Sequence, residues 1–75
     1  DEKSLTKASK WAKKSIELNR NYYNLDTYAA IQYKLGNMDE AEKYGKLAIK
    51  KGKEDNLDVT ATEEMLKQIQ KGPRI

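Results

Sequence analysis

Residues 41–49 read A-E-K-Y-G-K-L-A-I, and residues 8–16 read A-S-K-W-A-K-K-S-I. Superposed, the two segments pair Ala8 with Ala41, Lys10 with Lys43, Trp11 with Tyr44, Ala12 with Gly45, Lys13 with Lys46, Ser15 with Ala48 and Ile16 with Ile49, at an offset of 33 residues. An offset of that size belongs to helical-hairpin repeats and is far too long for a heptad. Small residues recur at helical spacing in both segments, and such a row lets a second helix approach closely. The expectation is an all-α chain of antiparallel helix-turn-helix units.

Composition agrees and excludes several kinds of chemistry. A chain of 75 residues makes one small domain at most, with a marginal core, so any large apolar face needs cover from a neighbour. Hydrophobic residues at 37% and charged residues at 36%, with one Pro and four Gly, suit solvated amphipathic helices. The single Trp and five Tyr exceed what a disordered chain carries. With neither Cys nor His, disulfides, thiolate nucleophiles, zinc knuckles and imidazole acid-base catalysis are excluded by inventory, and cysteine usage leaves the compartment open. No apolar run approaches membrane-spanning length and nothing at the start resembles a signal peptide, so a soluble chain with no membrane partner is expected. The net charge of +3, from 15 basic and 12 acidic residues, does not by itself predict a nucleic-acid partner.

The chain reads as four helices. From Ser4 to Leu18 the residues Leu5, Ala8, Trp11, Ala12, Ser15, Ile16 and Leu18 fall within about 160° of a helical wheel, opposite Lys7, Lys10, Lys13, Lys14 and Glu17. Asn19 to Asn21 break this helix. A second helix is expected from a cap at Asn24 to Leu35; it is apolar nearly all round, with Thr27 and Lys34 as its polar edge, as in a helix sandwiched between neighbours. Gly36-Asn37 ends it, and a tight hairpin leads to a third helix capped by Asp39, with Glu42 three residues on. Glu42 and Lys46 have the spacing of an i,i+4 ion pair, and Gly52 is expected to stop this helix. After a polar loop at 53–57, a fourth helix spans Asp58 to Lys71, with Thr60 and Glu63 as an alternative cap pair. Its inner face holds Val59, Thr62, Met65, Leu66 and Ile69, and Gly72-Pro73 ends it, with fraying beyond.

Leu35-Gly36-Asn37-Met38-Asp39-Glu40-Ala41, followed by Gly45 and Ala48-Ile49 and preceded by Leu25, resembles the tetratricopeptide repeat, a helix-turn-helix of about 34 residues with small residues at the helix crossing. Ala8, Ala12, Ser15 and Ile16 resemble the second half of a preceding repeat, and together the matches cover most of residues 5–51. The chain departs from the family pattern at Arg20 and Lys53, near the usual Pro, at Tyr28-Ala29 in place of Leu-Gly, and at Gly45 in place of an aromatic. The resemblance implies a single domain over 1–75, a fragment of an α-solenoid: the second helix of a truncated repeat at 4–18, one full repeat at 24–51 and a C-terminal capping helix at 58–71. Repeats are stabilised by stacking on their neighbours, so this piece is expected either to end a longer protein or to cover the open flank of its first helix by self-association.

The resemblance further implies a non-catalytic protein-interaction module whose concave face is lined by Tyr23, Asp26, Ala30, Tyr33 and Lys34. Asp26 and Ala30 stand where family members that hold a chaperone's terminal carboxylate have Lys and Asn, so that ligand is disfavoured by charge. Ala30 and Tyr33 pack equally well against the fourth helix in a purely structural alternative. Tyr22 and Tyr23, adjacent in a loop, are candidates for partner contact, whereas Trp11 and Tyr44, equivalent on their apolar stripes, are expected in the core. Lys10, Lys13, Lys43 and Lys46 repeat at the same offset and would line up on the outer face. A basic stripe for an acidic partner or nucleic acid is the alternative function, set against an ordinary solvated face diluted by Glu40 and Glu42. A purely structural helical tail is a further alternative. Asp39-Glu40 and Glu63-Glu64 sit near helix N-termini, where acids offset the dipole, and neighbours on a helix point about 100° apart. No nucleophile with a base, metal spacing or phosphate loop occurs, so neither an enzyme nor a cofactor is expected.

Overall fold

A computed structural model describes residues 2–71. Four α-helices follow one another, α1 (Glu2–Leu18), α2 (Tyr22–Leu35), α3 (Met38–Glu54) and α4 (Thr60–Lys71), with no strand among the described residues. The expected stop at Gly72-Pro73 lies outside them.

Each helix end has a local cause, and several differ from the sequence expectation. Asn21, not Asn24, caps α2: its Oδ1 accepts the Asn24 N–H at 2.8 Å. The Asn24 side chain serves α1 instead, donating from Nδ2 to Asn19 O at 2.8 Å and Ser15 O at 3.2 Å. It thereby supplies a donor to the Asn19 carbonyl at the end of α1 and a second donor to Ser15 O, which already accepts the Asn19 N–H at 2.8 Å. Tyr22 and Tyr23 consequently open α2 rather than lying in a loop. Gly36 ends the helix at φ 85°, with the Asn37 N–H reaching Gln32 O at 2.9 Å, the wide closure of a left-handed helix stop. Asn37, not Asp39, holds the cap position of α3, and Asp39 and Glu40 lie in its first turn, where they complement the dipole.

Gly52 does not stop α3. That helix runs on to Glu54, and Asn56 takes the left-handed conformation, φ 57°, with the Leu57 N–H on Gly52 O at 2.8 Å. Gly52 is buried inside α3 because it gives up space. A Cβ there would overlap Val59 Cγ1 and stand 2.9 Å from Tyr22 Cδ1. Asp58 lies just ahead of α4, where its Oδ1 accepts the Thr60 hydroxyl at 2.6 Å and the Thr60 N–H at 3.0 Å. These bonds, the hydroxyl's first, hold the Asp58 carboxyl below its ordinary range. Thr60 is thus the first residue of α4 rather than a cap.

Successive helices are antiparallel, as the paired positions show. Ser9 meets Gln32 while Ser15 meets Asn24. Tyr44 meets Tyr28 while Gly52 faces Tyr22. Glu42 meets Gln70 while Gly52 faces Val59. α2 is the central element, packed most extensively on α3, then on α1, and touching α4; α1 and α3 do not meet. Ala12, Ala29, Ala41 and Ala48 are fully buried, so the small residues sit where helices approach closely. Around them Ile16, Tyr22, Leu25, Tyr28 and Val59 form the core. Full burial of a side chain such as Leu25 contributes about 2 kcal/mol.

Two buried polar residues are spent on tying helices together. Gln32 donates from Nε2 to Ser9 Oγ of α1 and accepts from Asn37 Nδ2 at 2.8 Å. Thr62 donates to Asp26 Oδ1 at 2.6 Å, and the Tyr22 hydroxyl lies 2.7 Å from the same Thr62 oxygen. Because the one Thr62 proton goes to the carboxylate, Tyr22 is the donor to Thr62. Among the described residues no buried side-chain polar atom lacks a partner.

Candidate interaction surface

Tyr23, Ala30 and Lys34 fall on one line along α2, seven and four residues apart, and the two ends of this line are exposed. Tyr23 is 64% exposed, its ring set edge-on to Tyr22 at 5.3 Å between centroids. Lys34 is exposed and Ala30 half-buried. Asp26 and Tyr33, seven residues apart, share the adjoining side; both are half-buried, and Asp26 reaches Thr62 of α4. The strip therefore offers an aromatic ring near one end, an ammonium group near the other, and small or half-buried groups between them. That combination suits a chain laid along it, with an apolar anchor and a charge-assisted contact.

Tyr22 does not belong to this strip. It is 6% exposed, and its hydroxyl is used inside the fold. Asp26 likewise spends one oxygen on Thr62, which leaves it an inward anchor as much as an outward charge.

Lys10, Lys13, Lys43 and Lys46 are all exposed. They form two separate pairs rather than one continuous row, because α1 and α3 do not meet. Lys46 lies 4.0 Å from Glu42, and Lys43 stands 5.6 Å from the centre of the Tyr44 ring. Exposed pairs of this kind contribute at most about 1 kcal/mol each.

Trp11 reverses its expectation. Tyr44 packs edge to face on Tyr28 at 4.6 Å, whereas Trp11 is 68% exposed. The helix that covers Tyr44 is α2, and no described helix stands in the corresponding place against α1. Sequence reasoning missed the surface this creates; the available signal was the spacing Lys7, Trp11, Lys14, Leu18.

A cleft of about 310 Å³ between α3 and α4 is lined by Ile49, Glu63, Glu64, Leu66, Lys67 and Gln70. Its charges answer one another or their neighbours, Lys67 with Glu64 at 3.8 Å and Glu63 with Lys53 at 3.7 Å. Among the described residues no group of three or more His, Cys, Asp or Glu is placed to hold a metal ion, and no helix is long and apolar enough to cross a membrane. In comparisons with known proteins, no family model, curated protein or solved structure matches the chain.

Proposed function

We infer that the chain is a non-catalytic protein-interaction module of the tetratricopeptide type, offering the outer side of α2 to an extended peptide. One observation carries this reading: two pairs of residues 33 apart, Ala12 with Gly45 and Ser9 with Glu42, do the same structural work against successive helices. Ala12 of α1 is buried where only α2 packs, and Gly45 of α3 is buried under Met65 and Leu66 of α4. Ser9 bonds to Gln32 of α2, and Glu42 bonds to Gln70 of α4 at 3.4 Å. The shape supports it as well. Two helix layers about 9 Å apart, with a Cα radius of about 2.3 Å on each side, give a slab near the 15 Å thickness of this molecule. Stacked hairpins of this kind present a surface on which each first helix contributes a line of side chains.

Selection of peptides from a displayed random library on the folded chain tests the reading. Enriched peptides should bind the parent chain and lose at least tenfold in affinity to a Tyr23→Ala, Lys34→Ala double variant whose helicity is unchanged. Absence of enrichment, or binding indifferent to both substitutions, contradicts it.

A further inference from the structure

α1 carries four exposed residues in one row, Lys7, Trp11, Lys14 and Leu18, in which cation and apolar group alternate. Steps of four, three and four residues keep such a row on one side of a helix. Trp11 at 68% and Leu18 at 81% are the two large hydrophobic residues that α1 leaves to solvent. The opposite side of the helix is occupied, since Ser9 and the buried Ala12 and Ile16 face α2.

The same row occurs 33 residues on, in α3, as Glu40, Tyr44, Leu47 and Lys51. There a helix covers it. Tyr28 of α2 sets its ring against Tyr44 and donates its hydroxyl to Glu40 at 3.3 Å, and Leu47 packs against the core. The chain thus shows what kind of object fits such a flank, an antiparallel helix with an aromatic or apolar group at the centre. It also shows that the α1 version asks for different chemistry, with Lys7 where α3 has Glu40 and Lys14 where α3 has Leu47. Between residues 3 and 18 there are five lysines and a single acid, Glu17.

We propose that the Lys7–Trp11–Lys14–Leu18 row is a docking surface for an acidic amphipathic helix of another protein. Its apolar side chains cover Trp11 and Leu18, and its carboxylates meet Lys7 and Lys14. The helical form of the occupant rests on the repeat reading above; its charge rests on the lysines alone. A second copy of this chain is disfavoured, because an antiparallel pairing of two such rows sets Lys7 against Leu18 and Lys14 against Trp11 and brings no carboxylate to either ammonium group. A lipid surface is disfavoured because two apolar side chains are far less than the broad face that interfacial helices bury.

Trp11 is the single tryptophan of the chain and therefore reports the event directly. The probe is a synthetic amphipathic peptide of 14 residues, the length of α2, with tyrosine and leucine on one side flanked by glutamates. Titrated into the intact chain, it should move tryptophan emission to the blue and do so less strongly as salt is raised. The Lys7→Glu, Lys14→Glu variant, with its helicity checked by circular dichroism, should bind this peptide roughly tenfold more weakly. The same variant should gain binding to a peptide carrying lysine in place of glutamate, so a loss through misfolding cannot imitate the result. Each of these outcomes overturns the proposal: equal response of the parent chain to both peptides, a blue shift on concentrating the chain alone, a response to phosphatidylserine vesicles or a single-stranded oligonucleotide but not to the acidic peptide, and no response. If Tyr23→Ala abolishes peptide binding while the lysine reversals leave it intact, the α1 surface is refuted and the reading of α2 as the binding face stands.

Discussion

The Tyr22 hydroxyl donates to Thr62 Oγ1 at 2.7 Å, joining residues 40 apart in sequence, and Thr62 passes its own proton to Asp26 at 2.6 Å. This relay holds α4 to α2 through a side chain that is 1% exposed.

The two ends of the relay differ in cost. Tyr22→Phe removes a donor and leaves Thr62 still bonded to Asp26, which should cost about 1 kcal/mol. Thr62→Val strands the buried Tyr22 hydroxyl and deprives Asp26 of its donor, and should cost about 2–3 kcal/mol. Urea unfolding followed by circular dichroism ranks the two; equal losses would show that the relay does not run in this direction.

Gly45 and Gly52 both lie within α3 but should respond oppositely to alanine. A Cβ at Gly45 stands 3.7 Å from Leu66 Cδ1 and 3.8 Å from Met65 Cε, ordinary contact, so Gly45→Ala should be neutral or stabilising by up to about 1 kcal/mol through helix propensity. At Gly52 the same atom overlaps Val59 and crowds the Tyr22 ring, and Gly52→Ala should destabilise by about 1–3 kcal/mol. Thermal midpoints of the two variants decide the matter.

Two asparagines close to the α1–α2 turn divide the capping work. Asn21→Ala should cost about 1 kcal/mol by freeing the first turn of α2. Asn24→Ala should instead loosen the end of α1, visible as faster amide exchange in its last turn while the first turn of α2 keeps its protection. Exchange rates unchanged in α1 would remove this role.

Tyr28 gives the fold an alkaline limit. Burial, and then the charge and hydrogen bond of Glu40, raise the Tyr28 hydroxyl above the ordinary tyrosine value of 10.0. A phenol that stays neutral longer in the folded chain contributes its full share of stability below 10.0, and that share is lost as pH rises through the folded-state value. Stability of the parent chain should therefore fall more steeply than that of Tyr28→Phe as pH rises from 10.0 towards the folded-state value. Parallel curves for the two proteins would contradict the assignment.

The fold was legible where periodicity spans whole helices. The 33-residue offset, the small residues at Ala12, Gly45 and Ala48 and the Gly36 hairpin all act through local pattern, and four helices in the expected order follow from them. Capping was harder to read, because Asn21 and Asn24 have the same chemistry and only the docking of α1 on α2 decides that Asn21 accepts the first-turn N–H while Asn24 donates to the carbonyls of α1. Gly52 misled for a related reason. A glycine near a helix end suits a left-handed turn, but the demand at that position is for close approach to Tyr22 and Val59, and Asn56 supplies the turn. Trp11 misled most. Its stripe is that of Tyr44, yet burial depends on a neighbour, and the neighbour of Tyr44 has no counterpart against α1 among the described residues. Of the candidate binding residues, sequence position identified Tyr23 and Lys34 as outward groups, while the inward use of Tyr22 and Asp26 depended on Thr62, a threonine in α4 whose partners sequence does not name.

Side-chain NOE spectroscopy in solution tests the equivalence of α1 and α3 most directly. The account predicts contacts from the Ala12 methyl to α2 side chains, contacts from the Gly45 α-protons to the Met65 and Leu66 methyls, and none between α1 and α3. Direct contacts between Trp11 and any residue of α3 would contradict it.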